Sequence, residues 1–158
     1  MEKNSIEVLD DIDLRILRQL QQNSNVTTKE LARIVNLSIT PVFERVRRLE
    51  REGYIKRYVA ILDSTKLNHG FTVFCMVRLK QMNTAIAVAF VRAIKEIDEV
   101  VECYNISGEF DYMLKIQVLN MQMYQQFLIY KLGNLDMLGS LQSNFVMAEE
   151  KNTYGFAL

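Results

Sequence analysis

Four arginines, Arg45, Arg47, Arg48 and Arg51, fall within seven residues of the stretch "IVNLSITPVFERVRRLEREG", residues 34–53. A guanidinium pairs phosphates bidentately, or reaches O6 and N7 of guanine in the major groove. A helix displaying these arginines outward would therefore suit double-stranded DNA. The chain has 158 residues, with 19 basic and 19 acidic side chains and no formal net charge. Residues 33–57 nevertheless hold 7 basic and 3 acidic residues. A local patch of that sign matters more to an anionic partner than the overall balance does. The competing reading is a solvated face laced by i,i+4 pairs, such as Arg48 with Glu52.

A second stretch, "SGEFDYM" (107–113), combines a glycine with a carboxylate. Gly108 permits a positive φ between two strands and exposes backbone N–H groups there. Asp111 either accepts the N–H groups of that turn or offers an acceptor to the ammonium of a free amino acid. Ser143, facing the same way as Phe145 on the last strand, is a weaker candidate.

Little else offers chemistry. His69 is the only histidine, so a metal site is not expected. No Ser-His-Asp set, phosphate loop or dinucleotide glycine pattern occurs, and no cofactor is expected. Cys75 and Cys103 lack metal spacing and read as reduced core thiols. The eight methionines read as core filler. No N-terminal segment resembles a signal peptide. No apolar run approaches the roughly 20 residues that span a bilayer. A soluble, cytoplasmic protein with no membrane partner is expected.

The elements that must position these residues change period along the chain. Residues 9–53 read as three helices. Ile12, Ile16, Leu17 and Leu20 recur at helical spacing in the first, with Asp11 and Asp13 near its start. Thr27 and Glu30 form a capping box for the second, backed by a stripe of Leu31, Ile34 and Val35. The third follows "NLS", with Pro41 in its first turn, Ser38 or Thr40 as its cap and Gly53 as its stop. With Val42, Val46 and Leu49 inward, Thr40, Glu44, Arg47, Arg48 and Arg51 point outward, and Arg45 and Phe43 lie on the flanks. The short turn between the second and third helices is that of a helix-turn-helix.

From residue 71 the period is two. "FTVFCMVRLK", "EVVECYNIS", "DYMLKIQVL" and "SLQSNFVMAEEK" read as strands, "TAIAVAFVRAIKEI" and "MYQQFLIYKL" as helices. The order β-α-β-β-α-β is that of a ferredoxin-like domain. The first strand is apolar on both faces, whereas its own helices cover one. A partner sheet, and hence an obligate dimer, is expected. Strand order 4-1-3-2 would separate Cys75 from Cys103 and leave both as free thiols. A β-rich linker, "YIKRYVAILDSTKLNHG", joins the regions.

"DDIDLRILRQLQ", "TTKELARIVNLSITPVFERVRRLEREGYIKRYVAILD" and "ECYNISGEFDYMLKIQV" resemble the Lrp/AsnC (feast/famine) transcription regulators, most closely the leucine-responsive branch. The resemblance covers nearly the whole chain. It implies an α+β protein: a winged helix-turn-helix over 1–60, a hinge strand within 61–70, and a ferredoxin-like effector-binding and oligomerisation domain over 71–158. It further implies a nucleoid-associated homodimer assembling into octamers, with amino acids bound between dimers. Double-stranded DNA would meet Thr40, Pro41, Glu44, Arg47, Arg48 and Arg51, with Lys56 or Arg57 near phosphates. An effector, expected to be a small apolar amino acid or methionine, would bind at Ser107–Tyr112, through Ser107, Gly108, Asp111 and Tyr112. The chain departs from the family in reading Leu135-Asp136-Met137-Leu138 where Leu-Pro-Gly-Val is usual. Two other readings compete. Siroheme decarboxylases share the two-domain plan, but want histidine near a tetrapyrrole and have less need of an arginine-rich face. An effector-independent DNA-organising protein would carry the same helix-turn-helix.

Overall fold

The computed structural model describes residues 9–158. They divide into two compact units. One comprises the chain up to Ile61 together with Lys151–Leu158, and the other Leu62–Glu150.

The first unit is built from α1 (Asp11–Gln22), α2 (Thr28–Val35) and α3 (Ile39–Arg51). Asp10 caps α1 by accepting the Asp13 N–H, and the Asp13 carboxylate in turn accepts the Asp10 N–H. Thr27 and Glu30 make the expected reciprocal pair on α2. Each such cap satisfies donors that a helix start leaves orphaned. Asn36 ends α2 in the left-handed region, φ 57°, and the Leu37 N–H returns to the Ala32 carbonyl at 3.0 Å. That folds "NLS" into the turn that reverses the chain. Ser38, not Thr40, occupies the cap position of α3, without a side-chain bond. Gly53, φ 79°, lets the Ile55 N–H reach back to the Leu49 carbonyl.

Ile16, Leu31, Ala32, Val35, Val42 and Leu49 form the core of this unit. Each fully buried aliphatic contributes about 1.5–3 kcal/mol. Ile34, expected in the buried stripe, is 38% exposed. Ala32 fills the space beside Leu31 and Val35 instead, because the three-helix core reaches only one side of this two-turn helix. The expected hinge strand is also missing: residues 56–63 carry no hydrogen-bonded strand, since no partner strand lies beside them within the described chain.

The second unit runs β1 (Phe71–Leu79), α4 (Thr84–Lys95), β2 (Val100–Asn105), β3 (Tyr112–Val118), α5 (Met121–Tyr130) and β4 (Leu138–Phe145). Asn83 and Asn120 cap the two helices. The sheet is antiparallel throughout, in the order β2-β3-β1-β4. Val73, Cys75, Val77 and Leu79 alternate inward on β1, as Tyr112, Leu114, Ile116 and Val118 do on β3. Phe90, Ile94, Tyr124 and Phe127 cover that face from the helices. The opposite face bears no helix of this unit. Phe74, Met76, Met113 and Lys115 stand half-buried there, and Tyr104 is exposed. The divergent Leu135–Leu138 segment still closes as a turn, with the Leu138 N–H on the Leu135 carbonyl at 3.1 Å.

Candidate nucleic-acid interface and effector loop

On α3, Val42 and Leu49 are buried and fix the phase of the helix. Thr40, Glu44, Arg47 and Arg51 are exposed on the opposite side. At about 100° per residue these four fall within roughly 60° of arc, forming one outward stripe. Arg47 lies over the Phe43 ring, 5.3 Å from its centroid, which holds the guanidinium along the helix surface. Pro41, Lys56 and Arg57 are also exposed.

Arg48 does not join that stripe. It turns back toward α1, pairs with the Asp13 carboxylate and keeps a side-chain exposure of 25%. The physical reason is Asp13, which is 1% exposed and needs compensating charge. Arg45 supplies the rest, with Nη1 2.7 Å from both Asp13 and Asp10. Chiefly because of its hydrogen bond to Asp13, and against its partial burial, Arg45 is held more firmly protonated than usual. The Asp10 carboxyl lies below its ordinary 3.8, mainly through the Asp13 N–H it accepts. Sequence reasoning missed Asp13 as a structural charge. The signal was its phase: Asp13, Ile16 and Leu20 share one face of α1.

The loop between β2 and β3 is tied to β1. The Asp111 N–H donates to the Val77 carbonyl at 2.9 Å, and its Oδ2 accepts the Leu79 N–H at 2.8 Å. Asp111 therefore braces the loop against the neighbouring strand, rather than its own turn. Asn105 Nδ2 donates to the Asp111 carbonyl at 2.9 Å. Gly108 has φ 118° with open space where a Cβ would stand. Ser107 is exposed.

Two expected effector residues lie elsewhere. Tyr112 is buried on the helix side, its ring 4.6 Å from that of Phe90, because it begins the inward alternation of β3. Ser143 also faces the helices, and its Oγ is 2.6 Å from the Tyr124 hydroxyl. Cys103, expected in the core, is exposed on the edge strand β2. Cys75 is buried, and its burial raises the thiol pKa. A charged residue that the sequence reading passed over, Arg78, grips the loop by donating to the Glu109 carbonyl from Nε at 2.8 Å and from Nη2. It is the one charged residue of β1, which was the available signal.

Among the described residues no His/Cys/Asp/Glu group could hold a metal ion. No helix there is long and apolar enough to cross a membrane.

Residues 9–56 match the model of a winged helix-turn-helix DNA-binding domain. Residues 72–156 match that of the Lrp/AsnC ligand binding domain. The chain is 37% identical over 145 residues to the leucine-responsive regulatory protein of Escherichia coli, a match covering 92% of this chain and 88% of that one. A Neisseria meningitidis transcriptional regulator, solved as its L-Met complex, superposes with a TM-score of 0.89 at 31% identity, covering 92% and 94% of the two chains. An AsnC family regulator of Agrobacterium tumefaciens gives the same TM-score at 34% identity, covering 94% and 97%. With an outward arginine-bearing third helix and a glycine-opened loop joined in one chain, the protein belongs to the Lrp/AsnC family of transcriptional regulators.

Proposed function

We propose that this protein binds specific sites on double-stranded DNA through α3 and adjusts that binding to the level of a free amino acid. The observation that carries the DNA half is the single outward stripe of Thr40, Glu44, Arg47 and Arg51, set against a helix face fixed by Val42 and Leu49. Arg47 and Arg51 are placed to meet base edges or phosphates. Lys56 and Arg57, just beyond Gly53, supply positive charge to the backbone. Arg48 contributes by seating the helix on α1 rather than by touching DNA.

The sensing half rests on the second unit. A free amino acid needs an acceptor for its ammonium and donors for its carboxylate. Asp111 has one oxygen engaged by the Leu79 N–H and leaves the other for an ammonium. The Neisseria relative's L-Met complex supports methionine or another apolar amino acid as the first class to test. In functional terms, residues 1–60 are the DNA-reading module, 61–70 the hinge and 71–158 the sensing and assembly module.

The helix-free face of the sheet, with Phe74, Met76 and Met113, fits a second copy of itself as a C2 partner. A dimer, and octamers built from it with amino acid between dimers, follow the family pattern. Occupancy would then bias assembly, since a ligand shifts an equilibrium only by its differential affinity for the two states. Genomic DNA capture with and without a mixed amino-acid pool tests the whole reading. Specific fragments should be recovered, and the set or yield should change with the pool. Recovery of bulk DNA alone, unaffected by any amino acid, would leave an architectural DNA-packing role and end the sensing assignment.

A further inference from the structure

We propose that Arg78 is the receptor for the effector's carboxylate, and that the Glu109 side chain occupies it when no effector is bound. This rests on the amino-acid reading above.

Arg78 presents five N–H donors in a planar fork. Its inner edge is spent on the loop, with Nε and Nη2 both donating to the Glu109 carbonyl. The Phe110 ring lies against the guanidinium, 5.6 Å from its centroid, and fixes the plane of the fork. Among the described residues Nη1 has no partner. Glu109 Oε1 stands 3.3 Å from Nη2, with side-chain exposures of 47% for Arg78 and 73% for Glu109. An ion pair so exposed is weak and readily exchanged.

The surrounding backbone adds donors. The N–H groups of Ser107, Gly108, Glu109 and Phe110 make no hydrogen bond with any described residue. Gly108 leaves its approach open. A run of free N–H groups beside a fixed guanidinium is chemically an anion receptor. Asp111, whose Oδ2 accepts the Leu79 N–H at 2.8 Å, stands at the same end of β1 as Arg78 and offers the complementary acceptor for an ammonium. The two charges of an amino acid therefore meet opposite charges at one strand end. The Glu109 carboxylate has the same chemistry as the ligand's own, so it acts as an internal competitor.

The test is calorimetric titration of the full chain with L-methionine, L-leucine and their two carboxamides. The wild type should prefer each acid to its amide by about tenfold or more, as expected for a charge-assisted pair. Arg78→Gln should bring that ratio close to one, and Arg78→Lys should restore part of it. A residue that merely held the loop would weaken acid and amide equally, so an unchanged ratio in Arg78→Gln overturns the proposal while leaving the effector reading intact. Glu109→Gln should tighten acid binding and leave amide binding alone. If Arg78→Gln fails to fold, this variant decides: no gain for the acid overturns the proposal. If the wild type binds none of the four compounds, the receptor and the amino-acid reading fall together.

Discussion

The Arg45 guanidinium stands 2.7 Å from the carboxylate of Asp13, which is the only buried polar or charged side chain among the described residues. Through that contact α3 is fastened to α1, and the outward stripe inherits its direction from a charge inside the domain. Asp13→Ala should leave Arg45 and Arg48 facing each other without their shared anion. Because both arginines keep about a quarter of their side chains in water, the loss should sit near the low end for a broken buried pair, about 3 kcal/mol. Urea unfolding followed by circular dichroism would measure it, and a loss below about 1 kcal/mol would show that water takes over the role.

Arg47 and Arg48 are neighbours with opposite tasks. Arg47→Ala should cost about 1–3 kcal/mol of operator affinity and leave the melting temperature alone. Arg48→Ala should lower stability by about 1–3 kcal/mol, and any weakening of DNA binding should track the unfolded fraction. Parallel thermal melts and electrophoretic titrations separate the two outcomes. A stable Arg48→Ala with the larger DNA defect would return Arg48 to the recognition surface.

Acid should loosen the first unit by way of its caps. Asp10 and Glu30 both lie below their ordinary values of 3.8 and 4.5, chiefly because each accepts a backbone N–H, from Asp13 and Thr27 respectively. A carboxyl with a depressed folded pKa stabilises fully above its unfolded value and loses that contribution as pH falls through the folded one. Helical signal from this unit should therefore hold at pH 5 and decline below about 4. Asp10→Asn and Glu30→Gln together should flatten that decline; an unaltered acid transition would assign it to other carboxylates.

The thiols give a quick check on topology. Cys75 and Cys103 both lie opposite Leu114, on either side of it, so β3 separates them by two strand spacings of about 4.8 Å each. A disulfide cannot span that gap without moving backbone. Titration with a thiol reagent should find one reactive group in the native protein, Cys103, and two after denaturation, even following air oxidation.

Assembly should depend on the bare face of the sheet. Phe74→Lys sets a second ammonium directly opposite Lys115, on the face that also carries Met76 and Met113, and burying it there is costly. Light scattering should report a smaller particle than the wild type, with the second unit still folded. An unchanged mass would move the interface elsewhere.

What the sequence disclosed is what local physics decides. The Thr27/Glu30 box, the Asn36–Ser38 turn, the Gly53 stop and the alternation of β1 are written within a few residues of where they act. From α3 alone Arg48 reads as outward; its direction depends on Asp13, 35 positions away. Tyr112 is in phase with Leu114, Ile116 and Val118, so the alternation of β3, and not the loop before it, sets its direction. Val59, Ile61 and Leu62 have strand-forming side chains, yet a strand needs a neighbour to bond with. Arg78's hold on the Glu109 carbonyl spans 31 positions, and locally it is marked only as the one charged residue of β1.

The last residues of the chain have a topological consequence. Arg18 Nε donates to the Leu158 carbonyl at 2.8 Å, and Gln21 donates to that of Phe156, so Lys151–Leu158 returns to the unit where α1 lies. The second unit is therefore an insertion in the first, with covalent crossings at 61–62 and again at 150–151. A single protease nick in the linker would not release a free DNA-reading fragment. The two pieces would still be tethered through the second crossing until denaturant pulled the tail from α1.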